Sequence, residues 1–283
     1  QYLALVLQAT EGCSYNQCAF CGFYRDRKFH VKSVGEFQKH IRDVRAFFGG
    51  GICLRKSIFL ADANALIIPQ AQLLPLFDAI NAEFAIPPLH PERNGAQSKG
   101  AGDALKEWKA QHPIYFDGVY SFIDAFSTRR KIARDFAELG ARGLRRVYVG
   151  LESGDKELLT FLGKPSSPED VARLVADVKA GGVAVGIIIL VGAGGDKYAA
   201  QHVRRTVAVV NALPLDQNDL IYFSELVDHP RAEHSALLHD ANIRPLTIGE
   251  IEHQMTLMRA GFQFHDFDRA PKVSYYDIRE FIY

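Results

Sequence analysis

The sequence predicts an α/β protein built on a mostly parallel sheet, and three observations carry this. Short apolar runs alternate with amphipathic stretches along 283 residues, no hairpin signal joins successive runs, and 48% of the residues are apolar, enough for one substantial core. Strand and helix in alternation imply βα units with right-handed crossovers. An α/β barrel and a doubly wound sheet both satisfy the pattern, and composition does not choose between them. A single domain over residues 1–283 is expected.

Tyr2 to Leu7 is an apolar run ending in polar Gln8 and Thr10, a strand that feeds a Gly- and Cys-bearing loop. Ser33 and Glu36 have capping-box spacing ahead of an apolar-periodic stretch to Phe48, which Gly49 to Gly51 end. Ser57 to Leu60 is a second strand, followed by Ala61, Asp62, Ala63 and Asn64, and Gln70 to Phe84 carries the next helix. Pro87, Pro88 and Pro91 rule out a regular helix between Ala85 and Gly102, so residues 85–102 read as a flexible loop. Gly118 to Phe122 is a third strand, Arg129 to Leu139 a helix and Arg146 to Leu151 a fourth strand. Ser167 and Asp170 start a helix that Gly181 and Gly182 stop. Ala184 to Val191, rich in Ile and Val, fits a strand buried on both faces. A helix from Ala199 to Ala212 and a sixth strand from Leu220 to Leu226 follow.

The 33 basic and 33 acidic residues balance, which removes the electrostatic argument for nucleic acid or an anionic membrane surface. No run approaches the roughly 18 apolar residues of a membrane span, and Gln1 to Ala9 lacks the basic segment and cleavage signal of a secreted protein. A soluble, cytoplasmic protein is expected. Tyr2 already opens a strand with no Met before it, so native residues are expected upstream.

Four cysteines in such a chain argue against a disulfide framework, and three of them lie between positions 13 and 21. Cys13-x4-Cys18-x2-Cys21 sets three thiolates in a loop of small and polar residues, and thiolates suit iron-sulfur clusters and zinc. Structural zinc usually takes further ligands from a second knuckle, and no C-x2-C or H-x3-H partner follows. Three ligands leave one iron of a [4Fe-4S] cube open to a small molecule. The alternatives are ordinary cysteines, or zinc completed by a distant His. Cys53 stands apart, just before a strand, and reads as a buried apolar free cysteine with no ligand role.

Together these residues resemble the cluster loop of radical S-adenosylmethionine (SAM) enzymes. The match runs through Thr10, Gly12, Cys13, Cys18, Ala19-Phe20-Cys21 and Gly22-Phe23-Tyr24, with an aromatic residue before the last cysteine. The commonest family spacing is C-x3-C-x2-C, and the longer first spacing here is similar to branches near the elongator catalytic subunit and the oxygen-independent coproporphyrinogen oxidases. Phe59 to Leu66 resembles the family's second-strand segment, which binds the SAM amino group. Tyr148-Val149-Gly150-Leu151-Glu152-Ser153-Gly154 resembles the fourth-strand motif, whose acidic residue faces the SAM ribose or amino group. Gly186 to Gly192 resembles the segment beside adenine, and Ser274 to Glu280 the end of radical SAM proteins, so the resemblance covers essentially the whole chain.

The resemblance implies a partial (β/α)6 barrel of the TIM type with mostly parallel strands. It implies a [4Fe-4S] cluster on Cys13, Cys18 and Cys21, and SAM contacts from Phe20, Phe23, Tyr24, Asp62, Asn64, Ser121, Arg129, Glu152, Ser153, Ile188 and Gly192. Reductive cleavage of SAM would give a 5′-deoxyadenosyl radical for hydrogen abstraction, an oxidoreductase-type reaction fed by an external one-electron donor such as flavodoxin or ferredoxin. A small-molecule substrate is favoured over a peptide, and no catalytic side chain is assigned. Two alternatives stand beside it: a non-catalytic, cluster- or heme-binding chaperone-like relative, and structural zinc on an unrelated α/β enzyme.

Each implied contact has a structural counterpart. Glu152 ends an apolar strand, where barrels place binding groups, but a helix cap or salt bridge also suits it. Ser153 can share the site or cap a helix, and Asp62 and Asn64 can bind a ligand or form a turn. Gly192, Gly194 and Gly195 allow close backbone approach or simply a turn. Arg129, near Ser121, can pair with a carboxylate or belong to a solvated run with Arg130 and Lys131. Tyr275, Tyr276 and Arg279 can close the barrel mouth or dock a tail.

Overall fold

The computed structural model describes residues 3–88, 101–126, 131–227, 231–264 and 267–276. Strand β1 (Ala4–Gln8) leads through two short antiparallel strands, β2 (Thr10–Glu11) and β3 (His30–Val31), into helix α1 (Val34–Phe48). Then come β4 (Ser57–Ala61), α2 (Gln70–Glu83), α3 (Ala101–Gln111), β5 (Val119–Phe122), α4 (Ala133–Ala141) and β6 (Leu144–Glu152). The chain continues through α5 (Lys156–Phe161), α6 (Pro168–Ala180), β7 (Ala184–Val191), α7 (Gly195–Ala212), β8 (Leu220–Glu225), α8 (His234–Asp240), α9 (Ile248–Gly261) and β9 (Lys272–Tyr276).

The fold is α/β, a parallel sheet ordered β1-β4-β5-β6-β7-β8-β9. All six expected strands are present, and β9 adds a seventh beside β8. It carries Tyr275 and Tyr276, so these residues belong to the sheet and not to a docked tail. Arg279 lies outside the described residues.

Local signals set several helix starts. Ser33 accepts the Glu36 N–H while the Glu36 carboxylate accepts the Ser33 N–H, and Ser167 with Asp170 and Thr247 with Glu250 repeat the device. Helix α4 begins at Ala133 and not at Arg129, which lies outside the described residues, as do 89–100 of the expected loop. Ala101 and Gly102 of that loop open α3. Helix α7 starts at Gly195, before the expected Ala199, because Gly194 takes a left-handed φ of 75° and turns the chain straight into it. Helices α3, α5, α8 and α9 were not legible, since α5 and α8 are short, α3 buries none of residues 103–111, and α9 buries only Gln254 and Met258.

Alternation gives the sheet two faces. Leu5, Leu7, Ile58, Leu60, Val147, Val149, Ile187 and Ile221 are fully buried against the helices, each contributing about 1.5–3 kcal/mol. The inner face carries an aromatic band: Phe59 and Phe122 lie 5.1 Å apart, Phe122 and Tyr148 5.7 Å, Tyr148 and Tyr222 6.1 Å, and Tyr222 and Tyr276 5.8 Å. Strand β7 offers Gly186 to this band, and a methyl there would overlap the Tyr148 ring. Among the described residues no helix is long and apolar enough to cross a membrane.

Candidate functional site

The cysteine loop leaves β2 at the C-terminal edge of the sheet, and Cys13, Cys18 and Cys21 are all half-buried. Backbone bonds shape it around the sulfurs. The Asn16 N–H donates to Cys13 Sγ at 3.4 Å, with Asn16 at a left-handed φ of 53°, and the Phe23 backbone N–H bonds Cys21. Such N–H to sulfur bonds tune cluster sulfurs. The Arg25 guanidinium donates to the carbonyls of Cys18 and Cys21 at 3.1 and 3.4 Å and ties the second half of the loop. The loop rests on the turn after α5: the Ala19 N–H donates to Leu162 at 2.9 Å and the Tyr15 hydroxyl to Gly163 at 3.0 Å. That turn delivers Lys164 to the loop.

Lys164 is the centre of the site. Its ammonium donates to Asp124 at 3.0 Å and to Glu152 at 3.1 Å, and the three side chains are 5%, 19% and 10% exposed, so the network is largely shielded from water. Burial works against the charged ammonium, but Asp124 and Glu152 outweigh it and hold Lys164 well above the usual lysine range. Burial raises the Glu152 carboxyl, with Lys164 pulling the other way. Burial also pushes the Cys18 thiol up to about 12 against the pull of Lys164, and it raises Cys21 against the Phe23 N–H. Both sulfurs therefore favour the neutral thiol unless a cation lies beside them, as a bound metal ion would. Among the described residues no three His, Cys, Asp or Glu side chains close round a point as tightly as one metal ion needs.

Glu152 ends β6 with a left-handed φ of 57°, where the β6–β7 register shifts between Gly150 and Glu152. A methyl on Gly150 would overlap the Glu152 carboxylate, so a larger residue there would displace that side chain. Ile188 pairs with Gly150 and Tyr222 in register and is half-buried on the inner face. Phe20 packs on Leu158, Leu162, Leu190 and Ala193. Asn64 is fully buried; its Oδ1 accepts the Asp124 N–H at 2.9 Å, while its Nδ2 has no partner among the described residues. An unpaired buried donor beside the Asp124 loop suits a polar ligand.

Other expected contacts are occupied by the protein itself. Asp62 accepts the Gly12 N–H at 3.1 Å and the Tyr24 hydroxyl at 2.7 Å, so Asp62 and Tyr24 clasp the cysteine loop to β4. Ser121 lies on the helix-facing side of β5 and donates to the Leu60 carbonyl at 2.7 Å. Ser153 is fully buried against His202 at 2.8 Å, and the Gly192 N–H donates to Gln254 at 3.0 Å. Arg129 lies outside the described residues. Sequence reasoning missed Asp124 and Lys164. Asp124 had a signal, since it follows β5 as Asp62 follows β4; Lys164, in a turn twelve residues beyond Glu152, had none.

Solved structures share this fold. Coproporphyrinogen III oxidase (HemN) from Escherichia coli, a radical SAM enzyme, aligns with a TM-score of 0.55 and 13% identity over 95% of this chain and 55% of its own. HydG, a maturase of the [FeFe]-hydrogenase, aligns at 0.55 and 11% over 96% and 57%. The radical SAM methyltransferase TsrM from Kitasatospora setae, with cobalamin and a [4Fe-4S] cluster bound, aligns at 0.53 and 17% over 84% and 37%. The chain thus spans 37% to 57% of these proteins' lengths, and at such identities the likeness is one of fold. No protein-family model and no curated protein sequence matches the chain.

Proposed function

We propose that this chain is a radical SAM enzyme, with a [4Fe-4S] cluster on Cys13, Cys18 and Cys21 and SAM held against Asp124, Lys164 and Glu152. One observation carries the reading: a shielded network of one cation and two carboxylates stands beside Cys18 at the C-terminal ends of parallel strands, where barrels gather ligands. One ammonium between two carboxylates leaves a negative charge that the cationic groups of SAM offset. In this reading Lys164 receives the SAM carboxylate, Glu152 the ribose hydroxyls or ammonium, and the free Asn64 Nδ2 a further oxygen. Ile188 and Phe20 supply apolar wall for the adenine.

When bound, the cluster and SAM supply a one-electron cleavage of the C5′–S bond to methionine and a 5′-deoxyadenosyl radical that abstracts hydrogen from substrate. The electron comes from an external donor such as flavodoxin or ferredoxin. The chain's own residues orient SAM, shield it from water and offer the aromatic inner face to a small-molecule substrate. The ligand count favours the cluster over structural zinc, since no second C-x2-C or H-x3-H knuckle follows the three cysteines in the sequence.

Anaerobic reconstitution with iron and sulfide, then dithionite and SAM, tests the reading. Release of 5′-deoxyadenosine is expected. A cluster that never cleaves SAM would leave the chaperone-like alternative, and bound zinc without a cluster would overturn the assignment.

A further inference from the structure

Glu152 is held in a turn that a residue with a side chain adopts only when its surroundings over-determine it. The Ser153 N–H bonds the Leu151 carbonyl at 2.6 Å and closes a three-residue turn around Glu152, whose φ is 57°. The β-ladder pairs Glu152 with Ile189 but skips Leu151, so its register is broken just before the turn, and no ladder pair holds the residues after Glu152. We infer that His202 is the positioning residue that locks this turn and so aims the Glu152 carboxylate at SAM, an inference that rests on the reading above.

His202 lies on α7 and is fully buried. Its Nε2 is 3.2 Å from the Leu190 carbonyl, which can only accept, so Nε2 carries the proton and Nδ1 is the acceptor. That acceptor faces the Ser153 hydroxyl at 2.8 Å and the Thr206 hydroxyl at 3.2 Å. Both hydroxyls pass the constraint on: Ser153 Oγ accepts the Asp155 N–H at 2.9 Å and Thr206 Oγ1 accepts the Gly154 N–H at 2.9 Å. One ring therefore joins β7, α7 and the three residues after Glu152. Arg205, bonded to Asp155 at 2.5 Å, closes the grip, and a methyl on Gly154 would overlap the Arg205 carbonyl. Burial keeps the imidazole neutral, as an acceptor must be.

The test compares the full chain, reconstituted with its cluster, as wild type, His202→Leu and His202→Asn. Asn offers an amide oxygen where Nδ1 stands; Leu fills the space and accepts nothing. SAM affinity by calorimetry, iron content, and hydrogen exchange at Gly154 and Asp155 are read together. His202→Leu should bind SAM about tenfold or more weakly, the scale seen when an orienting partner is removed, with iron content unchanged and exchange faster. His202→Asn should recover most of both. Should His202→Leu fail to fold, Ser153→Ala, which removes one hydroxyl and keeps the ring, should reproduce the loss. Wild-type affinity in His202→Leu, or equal impairment in the Asn and Leu variants, would overturn the role and leave His202 as packing. A wild type that binds no SAM would sink the enzymatic reading and the aim at SAM with it. The exchange arm would then show separately whether His202 locks the turn.

Discussion

The Lys164 ammonium and the Glu152 carboxylate meet 3.1 Å apart, twelve residues distant in the chain and sheltered from solvent, with Asp124 on the same nitrogen at 3.0 Å. Lys164→Met would strand the buried Glu152 carboxylate and the partly buried Asp124, and removing one partner of a buried pair costs about 3–5 kcal/mol. Glu152→Gln leaves Lys164 with Asp124 and should cost less, about 1–3 kcal/mol. Urea unfolding of both variants checks the order; a Lys164→Met chain as stable as wild type would mean the network does not persist in solution.

Asp62 should behave as a clasp on the cysteine loop. Tyr24→Phe removes one bond to it, for a loss of about 1 kcal/mol, whereas Asp62→Ala also frees the Gly12 N–H and should cost more. Iron loading after reconstitution should fall further in Asp62→Ala than in Tyr24→Phe. Equal loading in both variants would contradict the clasp.

Stability should depend on His202 in acid. Burial holds its imidazole down to about 4 from an ordinary value of 6.5. Between those values the unfolded chain binds a proton that the folded chain refuses. The His202 contribution is therefore fully present above 6.5 and declines as pH falls towards 4. Thermal unfolding across this window should show the decline, and His202→Asn should flatten it. An unchanged slope in that variant would assign the acid sensitivity elsewhere.

Gly186→Ala would push a methyl into the Tyr148 ring and break the aromatic band where β7 passes beneath it. Overpacking of this kind costs about 1–3 kcal/mol. Near-UV circular dichroism should change together with the melting temperature. A variant with neither change would show that the ring moves aside freely.

Cys53 is exposed and not buried as the sequence suggested, because it lies in the short turn of helix before β4, apart from the other three cysteines. Cys53→Ser should leave iron content and stability unchanged, within about 0.5 kcal/mol, while Cys18→Ala should abolish the cluster absorbance. Loss of iron in Cys53→Ser would enlarge the ligand set.

The sequence alone determined what depends on neighbours in the chain. Period and capping boxes located six of the seven main-sheet strands and the principal helices, the cysteine spacing marked the loop, and the end of an apolar run marked Glu152. Strand β9 escaped because Ser274 to Glu280 was legible only as a motif, and its partner β8 lies about fifty residues earlier in the chain. Tertiary structure decided what each marked residue touches. Asp62 could bind a ligand or form a turn and bonds Gly12 and Tyr24; Ser121 fell on the helix-facing side of its strand; Lys164 carried no motif and became the centre of the candidate site. Parallel sheets bring together strand ends separated by tens of residues, and burial there fixes which charges are paired. Periodicity carries neither quantity, so the fold was legible in the sequence and the wiring of the site was not.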